Sequence, residues 1–224
     1  MTARRKGDDP ASATSKDLVL GASAGGRKTG PGTRRLMSAG VRTVVITCLV
    51  YSAMVLLFTT VSLFIAPHES QVGTFRSVAT IPSHELVLVL LGLVLGLAVS
   101  VVLRKLDLGF VILIPALVVL TDLDHLPSYF SLAQPIRPAH SIIFILVTVA
   151  VMAMVIRRTD IELASLSAFF AHLSIDTGVF PPFSPISFQY YALSQFTIPF
   201  LAAAVSFAVA AGLVNNHRRK KVIL

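Results

Sequence analysis

The sequence predicts an all-α fold, a polytopic membrane helix bundle of about six transmembrane helices with both termini cytoplasmic. Three observations predict it. Of 224 residues, 54% are hydrophobic and only 13% charged, with a mean hydropathy of +0.80. A soluble domain carries about 25% charged residues, so these charges cannot coat a water-soluble globule of this size. The apolar residues fall in long uninterrupted runs near the ~20 residues that cross a bilayer core, and the basic residues sort onto alternate linkers. A cytosolic enzyme, a disordered protein and a free nucleic-acid-binding domain are excluded. The one cysteine, Cys48, sits in an apolar run and excludes a disulfide scaffold and a Cys-based zinc site.

Residues 1–42 hold nine Lys and Arg against Asp8, Asp9 and Asp17, which is +6 of the net +8. Rich in Gly, Ser, Ala and Thr, this segment reads as a disordered basic cytoplasmic tail that cannot bury a core. It reads as a solvated topology tag, with contact to anionic lipid head groups or another polyanion as the alternative, and not as a site for a specific nucleic acid. The Arg34-Arg35 pair resembles a twin-Arg export signal, but the run behind it is too long for an h-region and reads as an uncleaved first span.

Six apolar segments follow, over approximately 43–66, 84–103, 107–122, 140–156, 161–180 and 194–214. The first ends before Pro67, and the second opens behind Ser83 as a candidate N-cap. The third is short and contains Pro115, whose freed carbonyl needs a neighbouring helix. Linkers 104–106 and 157–160 are tight and basic. Pro138 precedes the fourth span, Pro181 and Pro182 end the fifth, and a basic cytoplasmic tail, 215–224, follows the sixth. The transmembrane domain is thus 43–214. No internal repeat stands out, and no segment alternates as a strand does. The tail supplies nine basic residues to one side, 218–221 four, and the turns 104–105 and 157–158 two each, which is 17 of 19. The other side receives Arg76 and Arg137. The positive-inside rule makes the crowded side cytoplasmic and the chain a multi-pass protein of the cell membrane.

This topology also sorts the residues able to do chemistry. His84, Asp122, Asp124, His125, His140, His172 and Asp176 all fall at non-cytoplasmic ends of spans. An Asp at a helix centre costs at least ~2.5–3.5 kcal/mol on insertion scales, so several together need compensation, which bound cations supply. His172 is expected about halfway along its helix, with Asp176 one turn further on the same face; Asp122 and His125 share a face if the third helix continues that far. Imidazole and carboxylate without thiolate suit Zn, Mn or Fe(II), and this set suffices for one or two divalent metal ions. Taken singly, His84-Glu85 also reads as a polar helix start, Asp122–His125 as a polar loop, and His140-Ser141 as a cap. His172 with Asp176 competes with a packing or proton-relay pair.

The ordered motifs resemble the LexA-regulated, membrane-bound metal-dependent hydrolases (YdjM-like). Thr121-Asp122-Leu123-Asp124-His125-Leu126-Pro127 is similar to that family's Pro-Asp-x-Asp-His signature. Arg137-Pro138-Ala139-His140-Ser141 resembles a shortened His-Arg-Gly-x-Thr-His-Ser stretch. His172 through Gly178 resembles the His-x-x-x-Asp-x-x-Thr stretch, and His84 followed by Gly92 the opening helix. The likeness covers about 83–188. Thr121 replaces the family's proline, Ala139 its threonine, and the first His and the Gly of the second stretch have no counterpart. The resemblance implies a metal-dependent hydrolase.

The leading expectation is therefore a membrane-embedded hydrolase with a divalent metal held by His84, Asp122, Asp124, His125, His140, His172 and Asp176. Asp124 is the candidate general base, and Arg137 is either the group for a substrate phosphate or carboxylate or an interfacial anchor. A site open to the outer leaflet points to membrane lipids as surroundings and an amphiphilic, lipid-like ester or phosphoester as substrate. Two alternatives remain open: a divalent-cation or proton transporter, and a non-catalytic scaffold with a structural metal.

Overall fold

Apolar runs this long must satisfy their own backbone hydrogen bonds, which a helix does within one segment. The computed structural model describes residues 31–65, 81–129, 137–176, 179–187, 189 and 191–223. Of the tail expected over 1–42, residues 1–30 lie outside them, and residues 31–42 are helical rather than disordered. The architecture is all-α: α1 (Pro31–Ile65), α2 (Ile81–Val102), α3 (Leu108–Leu120), α4 (Ile142–Val155), α5 (Thr159–Ile175) and α6 (Thr197–Ile223). Each expected span has its helix. Helix α1 begins earlier than expected, with Pro31 at the first helical position that proline tolerates. Ser83 lies inside α2 and so is not its N-cap.

Four segments, Gly40–Ile65, His84–Val102, Leu108–His125 and Thr197–Lys221, are long and apolar enough to cross a membrane. Helix α4 is apolar but has only 14 residues, about 21 Å at 1.5 Å per residue. Helix α5 carries Asp160, Glu162, Ser165, Ser167, His172 and Ser174 among its 17 residues. Its low apolarity follows from its place: Ser165, Ser167, Ala168, Phe169, Ala171, His172 and Leu173 are all fully buried, so it faces protein on most sides. It packs on α6 and α3, while α2 packs on α3.

The α2–α3 contact is backbone against backbone. A Cβ at Gly92 would stand 2.5 Å from Pro115 Cα, and one at Gly96 2.8 Å from Phe110 O and Val111 Cα. These two glycines, four apart, let the helices approach as small residues do in membrane bundles.

The turns after α2 and α4 share one end of the bundle with the last turns of α6. Asp107 caps α3, accepting from Gly109 N at 3.0 Å, and also holds Asn215 Nδ2 (3.3 Å) and the Arg219 guanidinium. Buried Asp160 takes Arg158 at 2.6 Å and Arg218 at 3.8 Å. At the other end α5 stops at Ile175 rather than running to residue 180. Asp176 turns extended (φ −61°, ψ 140°), and β1 (Val179–Phe180) pairs antiparallel with β2 (Tyr191–Ala192), a short ladder that the sequence pattern did not show. Ile142 N donates to Pro182 O at 3.0 Å, tying the segment after β1 to the start of α4.

Candidate metal centre

An α-helix bonds each N–H to the carbonyl four back, a 3₁₀ turn to the carbonyl three back. Helix α3 makes this change where its chemistry begins. Thr121 N–H reaches Leu117 O, whereas Leu126 N–H reaches Leu123 O, and Thr121–His125 is a 3₁₀ turn. A change of register skips one carbonyl at the junction, and Val118 O takes a side-chain donor, His172 Nδ1 at 2.9 Å. The same turn eclipses residues three apart, which sets His125 Nε2 3.2 Å from Asp122 Oδ1. Thr121 Oγ1 donates to Leu117 O (3.1 Å) and accepts from Tyr51 Oη of α1 (2.9 Å), pinning the switch from the side.

The second half of the site comes from the turn before α4. His140 closes the 3₁₀ turn Pro138–His140, and Ser141 caps α4 by accepting from Phe144 N at 3.0 Å. His140 Nδ1 lies 3.0 Å from Asp124 Oδ2, which also accepts from Ala139 N at 3.2 Å. A carbonyl at His172 and an ionised carboxylate at His140 can only accept, so both Nδ1 atoms carry a proton, and a neutral imidazole at either position presents its Nε2 lone pair. Those two Nε2 atoms are 2.9 Å apart, a distance spanned by a shared proton or by a metal ion that both atoms ligate.

Asp122 stands among all four imidazoles. Its Oδ1 is 3.2 Å from His125 Nε2, 3.5 Å from His172 Nε2 and 4.0 Å from His140 Nε2, and its Oδ2 is 3.9 Å from His84 Nε2. Asp176 Oδ2 lies 3.3 Å from His140 Nε2 and pairs with the Arg137 guanidinium. Tetrahedral donors held at ~2.0–2.2 Å from zinc stand about 3.3–3.6 Å apart, close to these spacings. Asp122, Asp124, His125 and His140 offer ligand atoms within 4.8 Å of one another, as do His140, His172 and Asp176. The buried atoms Asp122 Oδ2 and Asp124 Oδ1 have no hydrogen-bond partner among the described residues, a costly state for a carboxylate unless a cation meets it. Three aspartates and one arginine leave the cluster at a formal −2 with neutral imidazoles, which a divalent ion offsets. The donor set therefore fits a divalent metal.

The cluster is sealed on one side and open on the other. Side chains of Asp124, His140 and His172 are 0% exposed, against 13% for His84 and Asp122, 19% for His125 and 18% for Arg137. All eight residues singled out in the sequence meet here. Their depth differs from expectation, since His172 lies in the last turn of α5 and Asp176 just beyond it; the site is at a bundle end, not mid-helix. Tyr51, Thr121, the Val118 carbonyl and the Ala139 N–H were missed as positioning groups. A lone tyrosine in the apolar run of α1 was the one available signal.

Compared with protein-family models, curated proteins and solved structures, the chain matches none.

Proposed function

We propose that this chain is a multi-pass hydrolase of the cell membrane that depends on a divalent metal and cleaves an amphiphilic ester or phosphoester. The observation that carries the reading is the convergence of the Nε2 atoms of His140 and His172, each ring fixed from behind by an acceptor, on Asp122 and Asp176. His140, His172, Asp122 and Asp176 would hold the metal, whose chemistry when bound is Lewis acidity and a lowered water pKa. Zn, Mn and Fe(II) all suit these donors. The resemblance to the membrane-bound metal-dependent hydrolases supports the reaction class.

The remaining work falls to this chain's own groups. Arg137, partly exposed and already anchored on Asp176, would hold a substrate phosphate or carboxylate at the open rim. Asp124 would serve as the proton acceptor or as the group that orients His140. The rim opens at the non-cytoplasmic end of the spans, where lipid head groups lie, and six crossings with cytoplasmic termini follow from the positive-inside rule.

The test is turnover by purified protein in detergent micelles. Ester and phosphoester amphiphiles are supplied, with bound metal measured on the same samples. Metal-loaded protein should hydrolyse one class, chelation should abolish this, and His172→Ala should lose metal and turnover together. Cation flux in liposomes without hydrolysis would favour the transporter, and bound metal with neither activity the scaffold.

A further inference from the structure

Resting on that reading of a divalent-metal centre, we infer that the cluster holds two ions and that Asp122 is the carboxylate bridging them. Seven metal-type side chains meet at one place, whereas a tetrahedral ion takes four donors. They also divide into two sets at the two ends of the cluster, and Asp122 reaches both, with Oδ1 near His125, His140 and His172 and Oδ2 near His84.

The inner set is His140 Nε2, His172 Nε2 and Asp176 Oδ2, with neighbouring separations of 2.9 and 3.3 Å, all three side chains sealed from solvent. Asp122 Oδ1 completes it, 3.5 Å from His172 Nε2. The outer set is His125 Nε2 and Asp124 Oδ1, 3.8 Å apart, with His84 Nε2 reaching Asp122 Oδ2 at 3.9 Å. The two inner rings lie closer to each other than to either outer ring. His125 and His140 centroids are 5.8 Å apart and those of His84 and His172 6.5 Å, against 4.8 Å for His140 and His172. Asp122 Oδ2 and Asp124 Oδ1, buried without a hydrogen-bond partner among the described residues, both face the outer set. An inner ion alone leaves them unmatched; a second ion meets both. Asp124 then acts through each oxygen, Oδ2 on His140 and Oδ1 on the outer ion.

Charge makes the prediction about substrate sharper. The donors and Arg137 sum to −2 with neutral imidazoles, so two divalent ions bring the centre to +2. An anionic group at the rim would offset this, and a two-metal site suits a phosphoester better than a neutral ester.

The deciding measurement is metal stoichiometry on the full chain in detergent. Protein stripped with chelator is titrated with Mn(II), bound ion is counted by elemental analysis, and the electron paramagnetic resonance spectrum is recorded at saturation. Two ions per chain with an exchange-coupled spectrum are expected. The paired substitution His84→Gln and His125→Gln should bind one ion and revert to the six-line spectrum of isolated Mn(II). One ion per wild-type chain at saturation, or two that show no coupling, overturns the bridge while leaving a one-metal hydrolase standing. No bound ion overturns the metal reading altogether.

Discussion

Asp124 is fully buried, yet one of its oxygens is already occupied by the Ala139 N–H and His140 Nδ1. A carboxylate that hydrogen-bonds the far nitrogen of a metal-binding histidine fixes its tautomer and orientation, and loss of such a partner typically costs 10–100-fold in metal affinity. A general base instead need not affect metal at all. Two substitutions separate these roles. Asp124→Asn keeps an acceptor for His140 and removes the proton acceptor. It should fold normally, keep near-normal metal content and lose hydrolysis by on the order of 10²-fold or more if Asp124 is the base. Asp124→Ala removes the acceptor as well and should weaken metal binding by about 10–100-fold. Full turnover in Asp124→Asn assigns Asp124 to positioning alone. His172→Ala differs from both, since it deletes a donor to the ion itself; metal content should fall with no rescue by added carboxylate. A parallel argument applies to Tyr51, whose hydroxyl holds Thr121 beside Asp122. Tyr51→Phe leaves the fold and loosens the turn that carries Asp122, so metal affinity should fall by less than in Asp124→Ala.

At the level of elements, α2 lies against the backbone of α3 at Gly92 and Gly96. An added methyl at either meets backbone atoms of α3, which cannot rotate away as a side-chain tip can. Gly92→Ala should destabilise by about 1–3 kcal/mol, a fall of roughly 2–12 °C in Tm for a chain of this size. Gly40→Ala is the control, because nothing lies within 4 Å of its added Cβ, and its Tm should not fall. Equal Tm values would mean that α2 and α3 separate at no cost. The same elements show what was legible. Helix existence was readable from hydropathy because a span must be apolar and bonded within itself. The α5 end and the α3 register change were not, because both depend on which carbonyl meets which donor. Val118 O finds His172 from 54 residues away, and no local pattern encodes that. The site residues were visible as ionisable side chains at the ends of apolar runs. Thr121 and Tyr51, whose hydroxyls bond each other behind Asp122, look like ordinary polar residues of a span. A likeness between the two turns emerges only once they are seen side by side. Leu103-Arg104-Lys105-Leu106-Asp107 and Ile156-Arg157-Arg158-Thr159-Asp160 each put an arginine at positive φ (50° and 54°) and an aspartate at a helix start. Helix C-terminal turns usually place glycine in that conformation, so the charge outranks backbone ease at both.

The whole molecule separates its charges along one axis. The end with both tight turns and the last turns of α6 gathers Arg104, Lys105, Arg157, Arg158, Arg218 and Arg219, several fastened to Asp107 and Asp160. The opposite end gathers the four imidazoles and three carboxylates of the centre. Basic residues resist translocation, so the arginine-rich end should stay in the cytoplasm and the centre should face outward. Two exposed positions report on this in a Cys48→Ser background. Ser194, between β2 and α6, lies at the end where α5 stops, and Lys105 lies in the turn between α2 and α3; both are exposed. A membrane-impermeant thiol reagent added to intact cells should label Ser194→Cys and leave Lys105→Cys unmodified until the membrane is opened. The reverse pattern would invert the protein and turn its centre toward the cytoplasm. Labelling of both from outside would place an even number of crossings between them. The orientation also sets which molecules reach the rim: an impermeant chelator applied outside should strip the metal from cells carrying the protein only if His84 and His125 face that side. Ser194 labelling without external stripping would mean that the exposed 13–19% of these side chains opens to lipid rather than to water.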